Sequence, residues 1–378
     1  MAEKILHKTF RYRIYPTKRQ EEILNAQLAI CCELYNAGLQ ERRDAWKLQR
    51  KSIRWFDQNR QLAAIRKERV DVSSIHTDVL ENVLRRVDLA FQAFFERARS
   101  GHNPGYPRFR SARRYDSITF RQIGKALLGN KLRLSRIGQV RIKVHRPIHG
   151  TIKTLTVKRE AGRWFAVFAV EYQPEALAFN PSMVGIDVGL SAFATLSDGS
   201  AIQNPRWFRT AQAKLRRLQR RVARRKNGSN RRRKAVVLLR RFHNHVRDQR
   251  RDFHHKESRK IVNQNGLIAV ENLNVRGMVK NHKLAKSISD AGWSNFLFML
   301  AYKAESAGRV FVKVDPRGTS QTCLCGAEVR KTLVVRAHSC TSCGLVADRD
   351  HVSAQVILSR AGGSPSGANV EVFDSCVA

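Results

Sequence analysis

Three carboxylates and four thiols stand out in this chain as groups that could do chemistry. Asp187 lies in Val184-Gly185-Ile186-Asp187-Val188-Gly189, Glu271 ends Leu267-Ile268-Ala269-Val270-Glu271, and Asp350 lies in Asp348-Arg349-Asp350. Each acid comes at the end, or just beyond the end, of an apolar stretch, where a buried strand would ordinarily give way to a turn residue. Singly, each has a plainer reading: Asp187 as a turn acid, Glu271 as the neighbour of a helix cap, Asp350 as a first-turn acid favoured by the helix dipole. Together they are the hard oxygen donors that divalent cations need. Two Mg²⁺ ions about 4 Å apart can activate a water and stabilise a leaving oxygen in phosphodiester cleavage. Asp187 would bridge them, with Gly185 and Gly189 leaving room for a substrate backbone, and Glu271 and Asp350 would complete the cage.

The thiols form two pairs, Cys323-Leu324-Cys325-Gly326 and Cys340-Thr341-Ser342-Cys343-Gly344, separated by 14 residues. Four thiolates suit one structural, tetrahedral Zn²⁺. The second pair has the C-x-x-C-G spacing of a zinc knuckle. The first is C-x-C, one residue short, so His338 is an alternative to Cys325 as a ligand and an unmetallated cluster is the plainer reading. Cys31 and Cys32 sit in a helical pattern and read as small buried hydrophobes. Cys376 is left over.

The chain pattern supplies elements that could bring these groups together. Residues 184–190, 192–197 and 200–203 read as strands turning at Asp198-Gly199, and 266–271 and 309–314 read as two more. Helices are expected from about 205 to 263 with a break at Asn227-Gly228-Ser229-Asn230, from about 290 to 307, and from about 351 to 361. This order is an RNase H-like α/β layout.

Upstream, residues 5–15 alternate Thr9, Arg11 and Arg13 against Phe10, Tyr12 and Ile14, a strand with one basic face. Thr17 and Gln20 make a capping box for a helix to about Leu39. Helical character continues to about Val72. Thr77 caps a further helix carrying Leu80, Leu84, Val87, Phe91, Phe94 and Phe95 on one side. Strands return from Ser117 to Tyr172, turning at Glu160-Ala161-Gly162. The strand at 5–15 belongs with them in an antiparallel barrel or small sheet, into which the helices are inserted.

Composition names the partner class. Lys plus Arg number 71 against 31 Asp plus Glu, a net charge of +40. Such a chain repels itself unless a polyanion neutralises it, and nucleic-acid binding of this kind is steeply salt-dependent. Between Arg206 and Lys260 there are 22 Lys/Arg and three acids, with one apolar stripe of Leu215, Leu218, Val222, Val236, Leu239, Phe242 and Val246. A solvated face normally mixes signs, so this helical pair is expected to meet nucleic acid through Arg216, Arg217, Arg220, Arg224, Arg225, Arg231 and Arg232. Gly105-Tyr106-Pro107-Arg108-Phe109-Arg110 alternates aromatics with cations. That suits stacking and phosphate contact by Tyr106, Arg108 and Arg110, although a solvated loop is the plainer reading. Arg11 and Arg13 are further candidates. No apolar run approaches the ~20 residues that span a bilayer and the start has no secretory pattern. A soluble, intracellular protein with no membrane partner is expected.

The motifs, taken together, resemble those of the TnpB family, RNA-guided nucleases encoded by insertion sequences and related to type V CRISPR effectors. Phe10-Arg11-Tyr12-Arg13-Ile14-Tyr15-Pro16 with Tyr35-Asn36 resembles the family N-terminus, and Gly105–Arg110 its G-x-P-R-F-[KR] motif. Gly185-Ile186-Asp187-Val188-Gly189, Val270-Glu271-Asn272-Leu273 and Asp348-Arg349-Asp350 resemble the three RuvC motifs. Ser287-Ile288-Ser289-Asp290-Ala291-Gly292-Trp293 and the run from Ser320 through the cysteines are also familial.

The resemblance implies an α+β multidomain fold. Residues 1–17 with 108–178 would form a wedge-type β-barrel interrupted by a helical recognition domain at 18–107. Residues 179–320 with 345–361 would form an RNase H-like (RuvC) α/β domain with a zinc-finger insertion at 321–344, and 362–378 a disordered tail. It implies Asp187, Glu271 and Asp350 as catalytic acids on two Mg²⁺, and Cys323, Cys325, Cys340 and Cys343 on one Zn²⁺. It also implies a transposon-derived guide RNA and target DNA beside a short transposon-adjacent motif, with base pairing reading most of the sequence. One chain with its RNA is the expected assembly; a dimer is the alternative.

Val352 departs from the family, which commonly has Asn there; because all three acids remain, an Asn at 352 is expected to raise activity or leave it unchanged. Three other readings compete. One is a cleavage-deficient RNA-guided repressor, which loss of an acid would favour. The second is a transposase on the same core, which would need defined end-binding. The third is a basic RNA-binding protein, which needs no converging acids.

Overall fold

The computed structural model describes residues 5–121, 123–124, 126–332 and 335–362. These fall into two compact units, Met1–Gln173 and Pro174–Ala378. Cys376 and the expected tail lie outside the described residues, except Gly362.

The first unit runs β1 (Leu6–Tyr15), α1 (Lys18–Gln49), α2 (Trp55–Glu68), α3 (Val70–Ser73) and α4 (Thr77–Arg99). It continues with β2 (Ser117–Phe120), β3 (Leu127–Leu128), β4 (Lys131–Leu134), β5 (Gly138–Lys143), β6 (Thr151–Glu160) and β7 (Arg163–Tyr172). Its sheet has the order β2-β6-β7-β1-β5-β4-β3, and every pairing is antiparallel. β6 and β7 turn at Ala161-Gly162, both at positive φ (48° and 70°), as a two-residue hairpin requires. β2 and β3 are its edges, so among the described residues hydrogen bonding does not close the expected barrel; the sheet is an open half-barrel. β1 lies inside it, with Phe10, Tyr12 and Ile14 buried.

The capping box is present: the Thr17 hydroxyl accepts the Gln20 N–H at 3.3 Å and the Gln20 side chain accepts that of Thr17 at 3.0 Å. α1 runs ten residues past the expected end at Leu39. No Gly or Pro interrupts residues 40–49, and buried Arg42 ties that extension to Gln58 (2.8 Å) and Asp88 (3.0 Å). The cap of α4 is His76 rather than Thr77: the His76 ring accepts the Asp78 N–H at 3.3 Å, and the Thr77 hydroxyl accepts from Arg66. Leu80, Leu84 and Val87 are buried, whereas Phe95 is exposed. Cys31 and Cys32 are buried, and burial pushes the Cys31 thiol up to about 12, which leaves it inert.

The second unit contains β8 (Met183–Val188), β9 (Ala192–Leu196), β10 (Ala201–Gln203), α5 (Trp207–Ala223), α6 (Asn230–Gln264), β11 (Leu267–Glu271), α7 (Val275–Met278), α8 (Ala285–Ala291) and α9 (Trp293–Ser306). β12 (Val310–Val314), a 3-10 turn at Thr319–Gln321, β13 (Ala337–Ser339), β14 (Val346–Asp348) and α10 (Arg349–Gly362) complete it. The main sheet has the order β10-β9-β8-β11-β12. β10, β9 and β8 pair antiparallel, and β8, β11 and β12 pair parallel. Alternation along the strands makes two cores. Val184, Ile186, Ile268 and Val270 pack with Phe193, Trp293, Phe296 and Leu300, while Ala269 and Val314 pack with Ile357 of α10.

The helix expected from 290 is divided at Gly292, whose φ of 68° ends α8 before α9 begins. A Cβ there would also lie 3.2 Å from the His254 ring. The stretch from Ser287 to Trp293 works as a tie. Both oxygens of the Asp290 carboxylate accept the Phe208 N–H in the first turn of α5 (2.8 and 3.0 Å), where the helix dipole favours an anion. Arg250 of α6 donates to the carbonyls of Ser289 (2.8 Å) and Asp290 (3.2 Å), and the His254 ring bonds Ala291 O at 2.9 Å.

Candidate active site and nucleic-acid interface

Strand register places two of the acids. Ile186 of β8 pairs with Val270 of β11 in a parallel ladder. Asp187 and Glu271 each follow by one residue, so they leave neighbouring strands at the same level and on the same face. Such strands lie about 4.8 Å apart. Asp187 is the penultimate residue of β8 rather than its centre, and Glu271 is the last of β11.

α10 supplies the third acid, and Gly185 decides where α10 lies. A Cβ on Gly185 would sit 2.0 Å from Ala354 O and 2.8 Å from the Leu358 nitrogen. Asp187 lies two residues beyond Gly185 on the same face, and Asp350 lies about one turn before Ala354 on the helix. Close packing at Gly185 therefore carries Asp350 toward Asp187. The space at Gly185 is filled by α10 and is not left for substrate. A Cβ on Gly189 would lie 3.1 Å from Ala192 O, so that glycine serves the β8–β9 turn.

Gly185→Ala is expected to cost about 1–3 kcal/mol of stability or more, since backbone must shift, and to lower activity by displacing Asp350. Thermal unfolding and a cleavage assay on the same sample check this; a variant matching the parent in both would show that α10 does not need the contact.

The electrostatics are those of crowded acids. Burial raises the Asp187 carboxyl well above the usual carboxylate range, Glu271 and Asp350 push the same way, and Arg349 and Arg336 oppose. Glu271 is raised by burial, against which the Thr319 hydroxyl donates to its Oε1. Asp350 is paired with Arg349 at 2.9 Å and Arg336 at 3.1 Å. It does lie in the first turn of α10, so the dipole reading of this residue also holds. Asp187, with Glu271 and Asp350 both pushing against its charge, joins them in an all-oxygen donor set of the kind hard divalent cations take.

The sequence pattern did not reveal three partners of these acids: Thr319, Arg336 and the capping role of Asp348. Asp348 Oδ1 accepts the N–H groups of Asp350 (2.9 Å) and His351 (3.1 Å). Asp ahead of a helical run is the usual signal for that cap. Thr319 and Arg336 are far from their acids in sequence and left no signal.

Val352 is buried, at 1% exposure. Burial adds a stability cost to the expected effect of Asn on activity, because an amide there loses water without an assured partner. Val352→Asn is expected to lower stability by about 1–3 kcal/mol. A denaturant titration tests it; an unchanged midpoint would mean that the amide finds partners.

The four thiols converge. The Sγ atoms of Cys323, Cys325, Cys340 and Cys343 all lie within 4.8 Å of one another, and among the described residues they form the one such cluster of possible ligands. The Cys323–Cys343 and Cys325–Cys340 sulfur separations are 3.6 and 3.7 Å. A tetrahedron with metal–sulfur bonds of about 2.3 Å puts its sulfurs about 3.8 Å apart. The short C-x-C spacing therefore does not keep Cys325 out. His338 is not in the cluster; its Nδ1 faces Lys331 Nζ. Backbone N–H groups of Cys343 and Ser342 lower the Cys340 thiol to about 6, favouring the thiolate a metal binds.

The basic candidates occupy different settings. On the α5–α6 pair, Leu215 and Val246 are buried and Leu218, Val222, Val236, Leu239 and Phe242 half-buried, as a stripe between two helices packed on each other would be. Arg216, Arg217, Arg220, Arg224 and Arg231 are exposed, and none is in an ion pair among the described residues. Arg225 and Arg232 are half-buried, and Arg232 donates to Arg225 O at 3.3 Å across the bend between the helices. In the first unit, Arg11 lies 3.8 Å over the Phe165 ring and pairs with Glu160 at 2.6 Å, while Arg13 lies 5.3 Å from the same ring.

Two sequence motifs of the first unit meet. Asn36 exchanges hydrogen bonds with the backbone N–H and C=O of Arg110, both at 2.8 Å, and the Arg110 guanidinium lies over Tyr35 at 5.2 Å. Tyr106 packs edge-on against Phe91 and Phe94, and Arg108 is exposed.

Comparison with known proteins places this arrangement. The fold resembles compact effectors: a solved Cas12f1-sgRNA-target DNA complex superposes with a TM-score of 0.58 at 13% identity, covering 93% of this chain and 98% of that one. The mini-RNA-guided endonuclease CRISPR-Cas_phi3 gives 0.51 at 9% identity, covering 94% and 92%. At such identities the likeness concerns the fold.

Family models match residues 167–282 ("Probable transposase"), 293–357 ("Cas12f1-like, TNB domain") and 1–51 ("Helix-turn-helix domain"). The described part of the last is a strand followed by one 32-residue helix. A Streptomyces pristinaespiralis protein named "Putative RNA-guided DNA endonuclease" is 33% identical over 362 residues, covering 93% of this chain and 88% of that protein. InsQ of Escherichia coli (strain K12), which carries the same name, is 29% identical over 269 residues, covering 65% of each. The chain belongs to the TnpB family.

Proposed function

We propose that this chain is an RNA-guided DNA endonuclease, using a transposon-derived guide RNA to cleave DNA beside a short transposon-adjacent motif. The observation that carries the reading is the register of Asp187 with Glu271, joined by Asp350 through the packing of α10 on Gly185. The names of the relatives agree with it. The second unit acts as the RuvC-like nuclease domain, at 179–320 with 345–361, and residues 321–344 act as its zinc-finger insertion. The half-barrel and helices of the first unit act as wedge and recognition domains.

Asp187, Glu271 and Asp350 would hold two Mg²⁺, whose chemistry would be to activate a water and stabilise the leaving oxygen. Asp187, which feels the charges of both other acids, would be the ligand shared between the ions. Thr319 fixes one oxygen of Glu271, and Asp348 fixes the helix start that presents Asp350. The four cysteines hold one Zn²⁺ that closes the insertion. The exposed arginines of α5 and α6 run along the heteroduplex backbone, so binding weakens as salt rises. One chain with its RNA is the working assembly.

The test is to purify the protein from cells carrying its flanking DNA, sequence any RNA bound to it, and supply Mg²⁺ with a plasmid library. The library matches the RNA 3′ end behind randomised bases. Cleavage beside a fixed short motif supports the reading. Bound RNA with motif-dependent binding but no cutting would replace it by the repressor. No discrete RNA would return the question to a transposase or a general RNA-binding protein.

A further inference from the structure

The insertion that carries the cysteines begins and ends at the acids. Downstream, the β13–β14 hairpin pairs Ala337 with Asp348 and leads directly into α10, and Arg349 N donates to Arg336 O at 2.7 Å. Upstream, Thr319 stands four residues before Cys323. Thr319 is 3% exposed and Glu271 is 9% exposed. The single hydroxyl proton of Thr319 has two acceptors in reach, Glu271 Oε1 and Pro316 O at 3.1 Å, and the carboxylate is the closer. The Thr319 backbone is itself held. Gly318, at φ 72°, turns the chain into the 3-10 turn, and Arg360 of α10 donates to the carbonyls of Asp315 (2.9 Å) and Arg317 (2.8 Å).

We infer that Thr319 is a positioning residue for Glu271. Its hydroxyl holds Oε1 and so fixes the orientation of a buried carboxylate, leaving Oε2 as the oxygen not engaged by Thr319. This rests on the reading that the three acids hold divalent cations. Partners of metal-binding carboxylates commonly change metal affinity by about 10–100-fold when removed. Because the turn that begins at Thr319 leads into the insertion, the cysteine-bearing segment is flanked by a contact to Glu271 on one side and by the start of α10, with Asp350, on the other.

The experiment titrates Mn²⁺ into the full-length protein and follows free Mn²⁺ by electron paramagnetic resonance, with unfolding temperature and zinc content measured on each sample. Wild type, Asp187→Ala, Thr319→Val, Thr319→Ser and Thr319→Ala are compared. The expected result is a Mn²⁺ affinity at least about tenfold weaker in Thr319→Val and Thr319→Ala, with Thr319→Ser within about twofold of wild type and zinc unchanged in all. The serine keeps the hydroxyl and loses the methyl, so its rescue separates the hydrogen bond from packing. Thr319→Ala covers the case in which Thr319→Val does not fold. Unchanged affinity in the folded hydroxyl-lacking variants would overturn the inference, as would a serine variant as weak as they are. If Asp187→Ala leaves the wild-type titration unaltered, the acid-site reading itself fails and the inference falls with it.

Discussion

Asp187→Ala abolishes guided cleavage, with a loss of about 10⁴-fold or more in single-turnover rate, of the order seen for central catalytic groups. The bound RNA stays. Asp187 stands next to the end of β8 and feels the charges of both Glu271 and Asp350, so under the proposed reading no other acid takes its place. The same substitution should not destabilise the metal-free protein. Asp187 is a carboxyl raised by burial and by two acids, so folding binds a proton there more tightly than the unfolded chain does. Its cost to stability is absent below the unfolded carboxylate range and grows as pH rises toward the folded value. Alanine removes that cost. The metal-free variant should therefore melt at or above the wild-type temperature at neutral pH. Retained cutting would show that Asp187 is not a ligand. Lost cutting together with lost RNA would point to misfolding instead.

Cys343→Ser is the second large effect. Wild type is expected to carry close to one zinc per chain by elemental analysis, and the variant close to none. Four-thiolate sites commonly contribute on the order of 10 kcal/mol of binding free energy that is also folding free energy. Few other contacts hold this segment: β13 and β14 have three residues each. Its loss should expose residues 321–348 to proteolysis and lower the affinity of the acid site, because β14 runs into Asp348 and Asp350. A variant with full zinc would exclude Cys343 as a ligand. A zinc-free variant with an intact hairpin would mean that the metal is not what closes it.

Much of this was legible because local chemistry and tertiary packing agree. The Thr17 capping box, the alternation of β1 and the break before α6 each follow from a few adjacent residues. The placement of Asp187 and Glu271 at strand ends was legible because a carboxylate closing an apolar run conflicts with its own surroundings, the kind of conflict that nominates a residue for function. The misses share a cause. α1 overran its expected end because Arg42, a surface residue by type, is buried against Gln58 and Asp88, which lie 16 and 46 residues away. Gly185 looked like room for substrate because only the packed structure puts α10 against it. Thr319 and Arg336 act across sequence distances of 48 and 14 residues on side chains whose need for a partner appears only after folding.

The grip of Asp290 on the first turn of α5 has a mechanical consequence. α5 has 17 residues, a rod about 25 Å long at 1.5 Å per residue. The anchor is at one end, and the arginines Arg220 and Arg224 lie near the other. Packed on α6, which Arg250 and His254 tie to the same stretch, α5 moves with its partner as one lever: a rotation of about 5° at the tie carries the far end through about 2 Å, most of a hydrogen-bond length. Small adjustments beside the Ser287–Trp293 tie are thus magnified where the positive charge is densest.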